Sequence, residues 1–138
     1  MRHIKKFKIF SDKTPQVYFW VYVYENLDQL RDQASRFNPN ENYDDCYGVC
    51  QPFKREIVKE TGEIIRHPNI GVIRILDKAG AEVSLHEIIH ASLWNYRVCF
   101  GDANFGEECS IDEENFAYIC GQLYRSLVSK MYKFGIWK

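Results

Sequence analysis

Apolar and polar positions change their period several times along the chain. From Gln16 to Tyr24 the run QVYFWVYVY is β-branched or aromatic and follows Pro15. It predicts a strand apolar on both faces, and hence an inner one. Leu27, Leu30, Ala34 and Phe37 then recur at helical spacing, with Asn26 placed to cap them, Gln29 three residues on, and Asn38-Pro39-Asn40 as the stop. That pattern predicts one short amphipathic helix. Residues 38–45 are polar and turn-rich. Cys46 to Phe53, Arg55 to Glu60, Glu63 to His67 and Ile70 to Leu76 read as strands, and Thr61-Gly62 falls where a tight hairpin turn belongs.

Asp77-Lys78-Ala79-Gly80 breaks the last of these strands, and from about Ala81 the period is helical. Leu85, Ile88, Ile89, Ser92, Leu93 and Tyr96 form the stripe expected to face the core. Gly101 to Cys109 reads as a loop, and a final helix is expected from about Ile111 to Lys133, closed by Gly135. The order predicts an α+β fold: a small, mostly antiparallel sheet packed on the two long helices, with the short first helix also on the sheet. At 138 residues, without repeat or linker, the chain reads as a single domain, 1–138.

Charge adds little: 18 Lys and Arg against 19 Asp and Glu leave no global field to attract a polyanion, so composition disfavours a nucleic-acid partner. The basic start leads into no apolar signal region, and no stretch approaches a membrane span, so a cytoplasmic protein with no membrane partner is expected. Five cysteines without a signal segment then read as reduced thiols.

The candidate chemistry lies in His86-Glu87-Ile88-Ile89-His90. Residues four apart on a helix share a face one turn apart, so His86 and His90 can reach one ion, taken to be a single zinc. Glu87 lies beside that face, placed to take a proton as general base. A catalytic zinc needs a third protein ligand and an open position. Glu113 and Glu114 are the candidates. Ser110-Ile111-Asp112-Glu113 has the capping-box pattern, which gives Glu113 a structural use. Glu114 shares a stripe with Ala117 and Gly121, whose small side chains would let the last helix approach the histidine helix. Glu114 is therefore the preferred ligand.

Val83-Ser-Leu-His-Glu-Ile-Ile-His-Ala91 resembles the active helix of the zincin metallopeptidases, and Glu113-Glu-Asn-Phe-Ala117 is similar to the second segment of their glutamate-ligand branch. The element order looks like the minimal zincin core of small peptidase-like proteins of bacteria and phages. The resemblance implies a zinc-dependent hydrolase, most simply a peptidase acting on a peptide or protein substrate. Family members often place an Asp four residues after the Glu ligand, where this chain has Tyr118, and no further His or Asp follows His90 closely, which argues against the three-histidine branch. Only 24 residues follow Glu114, so the cleft is expected to be open, or completed by a protein partner. Two other functions fit the same residues: a metal-binding module that docks a partner without proteolysis, and a hydrolase of a non-peptide amide or ester.

The remaining residues carry plainer readings. Cys46 and Cys50 are too far apart in a strand for one metal. His67 reads as a turn histidine before it reads as an oxyanion donor, Tyr118 and Tyr124 as packing, and Arg97 as a helix-end cation. The aromatic run Tyr18, Phe19, Trp20, Tyr22, Tyr24 reads as core strand before binding surface.

Overall fold

The computed structural model describes residues 3–101 and 111–138. The elements run β1 (Lys5–Ile9), β2 (Tyr18–Tyr24), α1 (Leu27–Phe37), β3 (Gly48–Pro52), β4 (Glu56–Val58), β5 (Ile64–Arg66), β6 (Asn69–Leu76), α2 (Ala81–Phe100) and α3 (Ile111–Lys133). Four strands form one sheet in the order β1-β2-β6-β3, and β4 and β5 form a separate hairpin. The β1–β2, β3–β6 and β4–β5 pairs are antiparallel, while β2–β6 is parallel, so the fold is α+β and mostly antiparallel.

Local chemistry sets the element ends. The Asn26 side chain accepts from the amides of Asp28 and Gln29 at 2.8 and 3.2 Å, satisfying two of the donors a helix start leaves open. The Thr61-Gly62 turn forms as expected, with the Gly62 amide donating to Lys59 and the Lys59 amide to Glu63. β1 lies in a segment that periodicity left unassigned.

The pleat divides the sheet into two faces. Phe7, Ile9, Phe19, Val21, Val23, Ile73 and Ile75 point to one side and form a core with Ile88, Ala91 and Tyr96 of α2 and Ile119, Leu123, Leu127 and Met131 of α3. Burying these side chains supplies most of the drive to fold, at about 1.5–3 kcal/mol for each large one. Gly71 permits the tight seam between β2 and β6: a Cβ there would sit 2.7 Å from the Phe19 ring. On the other face Gln51 donates to the Ala34 carbonyl at 2.9 Å, tying α1 over β3 and β6. Among the described residues, no helix is long and apolar enough to cross a membrane.

α2 is pinned at several points. The Trp94 indole donates to the carbonyls of Ile70 (2.9 Å) and Phe53 (3.2 Å), and the Tyr96 hydroxyl donates to Asp112 at the start of α3. At the other end of the helix pair, Trp137 donates to the Asp77 carbonyl at 3.2 Å.

Candidate metal centre

The face that α2 turns inward differs from the expected stripe. Ser84, Glu87, Ile88, Ala91, Ser92, Asn95 and Tyr96 are buried, whereas Leu85, Ile89 and Leu93 are 40–43% exposed. Apolar residues lie nearly all round this helix, so periodicity alone does not choose the buried side. Close approach to the sheet chooses it, because Ser84, Ala91 and Ser92 leave room for β3 and β6.

With that orientation, His86 and His90 stand on the exposed outer side of α2. Their Nε2 atoms are 3.2 Å apart. Two nitrogen ligands, each about 2.0–2.1 Å from a tetrahedral ion, lie about 3.3 Å apart, so the pair can receive an ion with little movement. The ligating atoms of His86, Glu87 and His90 all fall within 4.8 Å of one another. Among the described residues, this group could hold a metal ion.

Glu87 occupies different surroundings from its histidine neighbours, being only 6% exposed. It faces β3, where Gly48 leaves space for it: a Cβ on Gly48 would lie 3.3 Å from Glu87 Cγ and 3.0 Å from Val83 Cγ1. The Cys50 backbone amide lies near enough to favour its ionised form. Burial pushes the Glu87 carboxyl above the ordinary carboxylate range, against the opposing pull of His86 and of that amide. The Cys50 thiol is pushed up to about 12 by burial and then by the Glu87 charge, which keeps it protonated and unlike a metal-binding thiolate. A cavity of about 310 Å³ opens beside this corner, lined by Asp45, Cys46, Tyr47, Gly48, Glu82, Val83, His86 and Glu87.

The glutamates of α3 are not brought to this group. Glu113 and Glu114 are exposed in the first turn of α3, and neither joins the clustered ligating atoms. The seam of Glu114, Ala117 and Gly121 does not form as expected: all three are exposed, and a Cβ on Gly121 would meet nothing within 4 Å. The reason is geometric. α3 buries Ile119, Leu123, Leu127 and Met131, and at roughly 100° per residue Glu114 lies about 180° round from Leu123. The capping partner Ser110 lies outside the described residues.

Other candidates fall on the plainer side. His67 Nδ1 accepts from the Asn69 amide at 3.0 Å within a turn. Tyr124 packs against the core as expected, whereas Tyr118, also read as packing, is 54% exposed, and Arg97 is exposed in the last turn of α2. Cys46, Cys50, Cys99 and Cys120 are free thiols, and Cys109 lies outside the described residues. Sequence reasoning missed the Cys50 amide and the Gly48 gap. A glycine opening a strand was the available signal, since it marks close approach of another group.

Comparison with known protein families, with curated proteins and with solved structures gives no match.

Proposed function

We propose that this chain is a zinc-dependent hydrolase acting on peptide bonds, with His86 and His90 as metal ligands and Glu87 as general base. The observation that carries the reading is the pairing of two imidazoles whose Nε2 atoms are 3.2 Å apart with a buried carboxyl of raised proton affinity, at the mouth of a cavity. Zinc held there would supply Lewis acidity, polarising a carbonyl and making water acidic near neutral pH.

The chain's own residues supply the rest. Glu87 takes the proton from attacking water and returns it to the leaving amine, a role favoured by a carboxyl that holds protons more tightly than usual. The Cys50 amide favours the ionised form of that carboxylate. A peptide substrate is favoured because β3 is a sheet-edge strand directly beside the site, and an extended chain can pair with such an edge. The zincin resemblance of residues 83–91 points the same way.

Glu114 is proposed as third ligand on the sequence resemblance; it stands outside the clustered ligating atoms of His86, Glu87 and His90, so its carboxylate must be brought to them when metal binds. A second reading rests on Leu85, Ile89 and Leu93, an exposed apolar row beside the histidines that suits a partner-binding module.

Metal analysis of the purified chain, with a chelator-sensitive assay on folded and unfolded protein substrates, tests both. The expected result is about one zinc per chain, lost in His86→Ala and His90→Ala. Glu114→Gln should weaken metal retention, while Glu113→Gln should cost only about 1 kcal/mol of helix stability. Absence of zinc, or a site on Cys46 and Cys50, overturns the metal reading. Zinc without hydrolysis, together with tight binding of a protein partner, transfers the function to the second reading.

A further inference from the structure

The sheet face turned away from α2 and α3 carries a second constellation. Tyr18, Trp20 and Tyr22 project from alternate positions of β2 and are half-buried. Across the ladder Lys8 pairs with Trp20 and Lys6 with Tyr22. The Lys6 ammonium lies 4.0 Å from the Trp20 ring centroid, and the Lys8 ammonium 4.3 Å from that of Tyr18. α1 packs over β6, β3 and the Tyr24 end of β2, where the Tyr24 hydroxyl donates to Gln33 at 2.7 Å, while Tyr18, Trp20 and Tyr22 stay partly accessible.

On the same face, next to Tyr22, Arg74 is 5% exposed. Its Nε donates to Gln51 Oε1 and its Nη1 to the Tyr24 hydroxyl, both at 2.7 Å. Both acceptors are neutral, and among the described residues no carboxylate pairs with this cation. A buried charge without a counter-ion is costly, and an anion relieves it. The space for one is present: a cavity of about 390 Å³ is lined by Arg74, Arg36, His3, Tyr22, Gln33 and Phe37. His3 Nδ1 is buried there without a hydrogen-bond partner.

We propose that this face binds single-stranded nucleic acid, with a backbone phosphate in the Arg74 pocket, bases stacked on Trp20 and Tyr18, and Lys6 and Lys8 on neighbouring phosphates. The Tyr18 and Trp20 ring centroids lie 5.8 Å apart with their planes at 88°, a separation near the step of an extended nucleotide chain, so each ring offers its face to a different base. Stacking a base is worth more than an exposed cation–π contact, so a ligand displaces the lysine heads from the rings and gains them as phosphate contacts. An acidic peptide would satisfy the cations but give the three rings nothing to stack. The chain's net charge of −1 is no obstacle, because the positive charge is local to this face. The site is independent of the metal centre, which lies across the sheet.

Fluorescence titration of the full chain with dT and rU oligomers of about 12 nucleotides tests this, using a duplex of equal length and polyglutamate as controls. Expected are quenching of Trp20 emission, absent in Trp20→Phe, and tighter binding of either single strand than of duplex; the dT and rU arms rank DNA against RNA. Lys6→Ala with Lys8→Ala, both exposed, should weaken binding about tenfold and flatten the salt dependence by about 1.4 in log–log slope. Arg74→Lys, which keeps the charge but loses the forked hydrogen bonds, should also weaken it. Equal binding of polyglutamate without quenching, or no binding of either oligomer at low salt, overturns the proposal.

Discussion

Glu87 sits where its charge is disfavoured, and that has a measurable consequence in the metal-free protein. Burial raises its carboxyl by more than His86 and the Cys50 amide lower it. A carboxyl that binds its proton more tightly in the folded chain than in the unfolded one stabilises the fold below its unfolded value of about 4.3, and that stabilisation is lost as pH rises through the folded value. At neutral pH the ionised Glu87 therefore works against folding. Glu87→Gln keeps an acceptor for the Cys50 amide and removes the charge. In chelator at pH 7 the variant should unfold at an equal or higher urea concentration than the parent, with the gap closing near pH 4. Loaded with zinc, the same variant should keep its metal and lose about 10²–10⁴-fold in hydrolysis. Loss of metal and stability together would show the carboxylate to be a ligand or a structural group instead.

At the scale of elements, the seam between β2 and β6 offers a sharp test of packing. A Cβ on Gly71 would stand 2.7 and 2.8 Å from two atoms of the Phe19 ring and 3.2 Å from the Gln51 carbonyl. Phe19 is fully buried and has nowhere to retreat. Gly71→Ala should cost about 1–3 kcal/mol, read as a lowered urea midpoint at unchanged slope, and adding Phe19→Leu should recover part of it. A neutral Gly71→Ala would mean that the strands separate more easily than this packing allows. The sequence makes neither the clash nor the parallel pairing visible, since both arise when strands about fifty residues apart meet. What it does make legible is local: the Asn26 cap, the Thr61-Gly62 turn and the extents of α2 and α3 follow from neighbouring residues. β1 escaped because Lys5, Lys6 and Lys8 read as a basic leader; their strand character comes from pairing with β2 and from the rings beneath them. The histidine pair was legible from its four-residue spacing. The position of Glu114 was not, because the rotation of α3 is set by Leu123 and its neighbours against the core.

For the whole molecule, the proposed metal centre would tie local chemistry to global stability. His86 and His90 meet at 3.2 Å only while α2 is helical, and α2 is held by Trp94, Tyr96 and the shared core. A metal that binds the folded chain and not the unfolded one stabilises it by about 2.7 kcal/mol when free ion exceeds its dissociation constant a hundredfold. For a chain of this length that corresponds to a rise in Tm on the order of 10 °C. Zinc should produce the rise and magnesium should not, because two imidazoles suit the former and magnesium prefers oxygen and water. His86→Ala combined with His90→Ala should abolish the shift, and both residues are exposed, so the double variant should still fold. Lys6→Ala with Lys8→Ala should leave the shift unchanged, since those lysines lie on the opposite face of the sheet and share no partner with the histidines. A zinc shift that survives removal of both histidines would place the ion elsewhere. A shift equally large with magnesium would point to a carboxylate site in place of the imidazole pair.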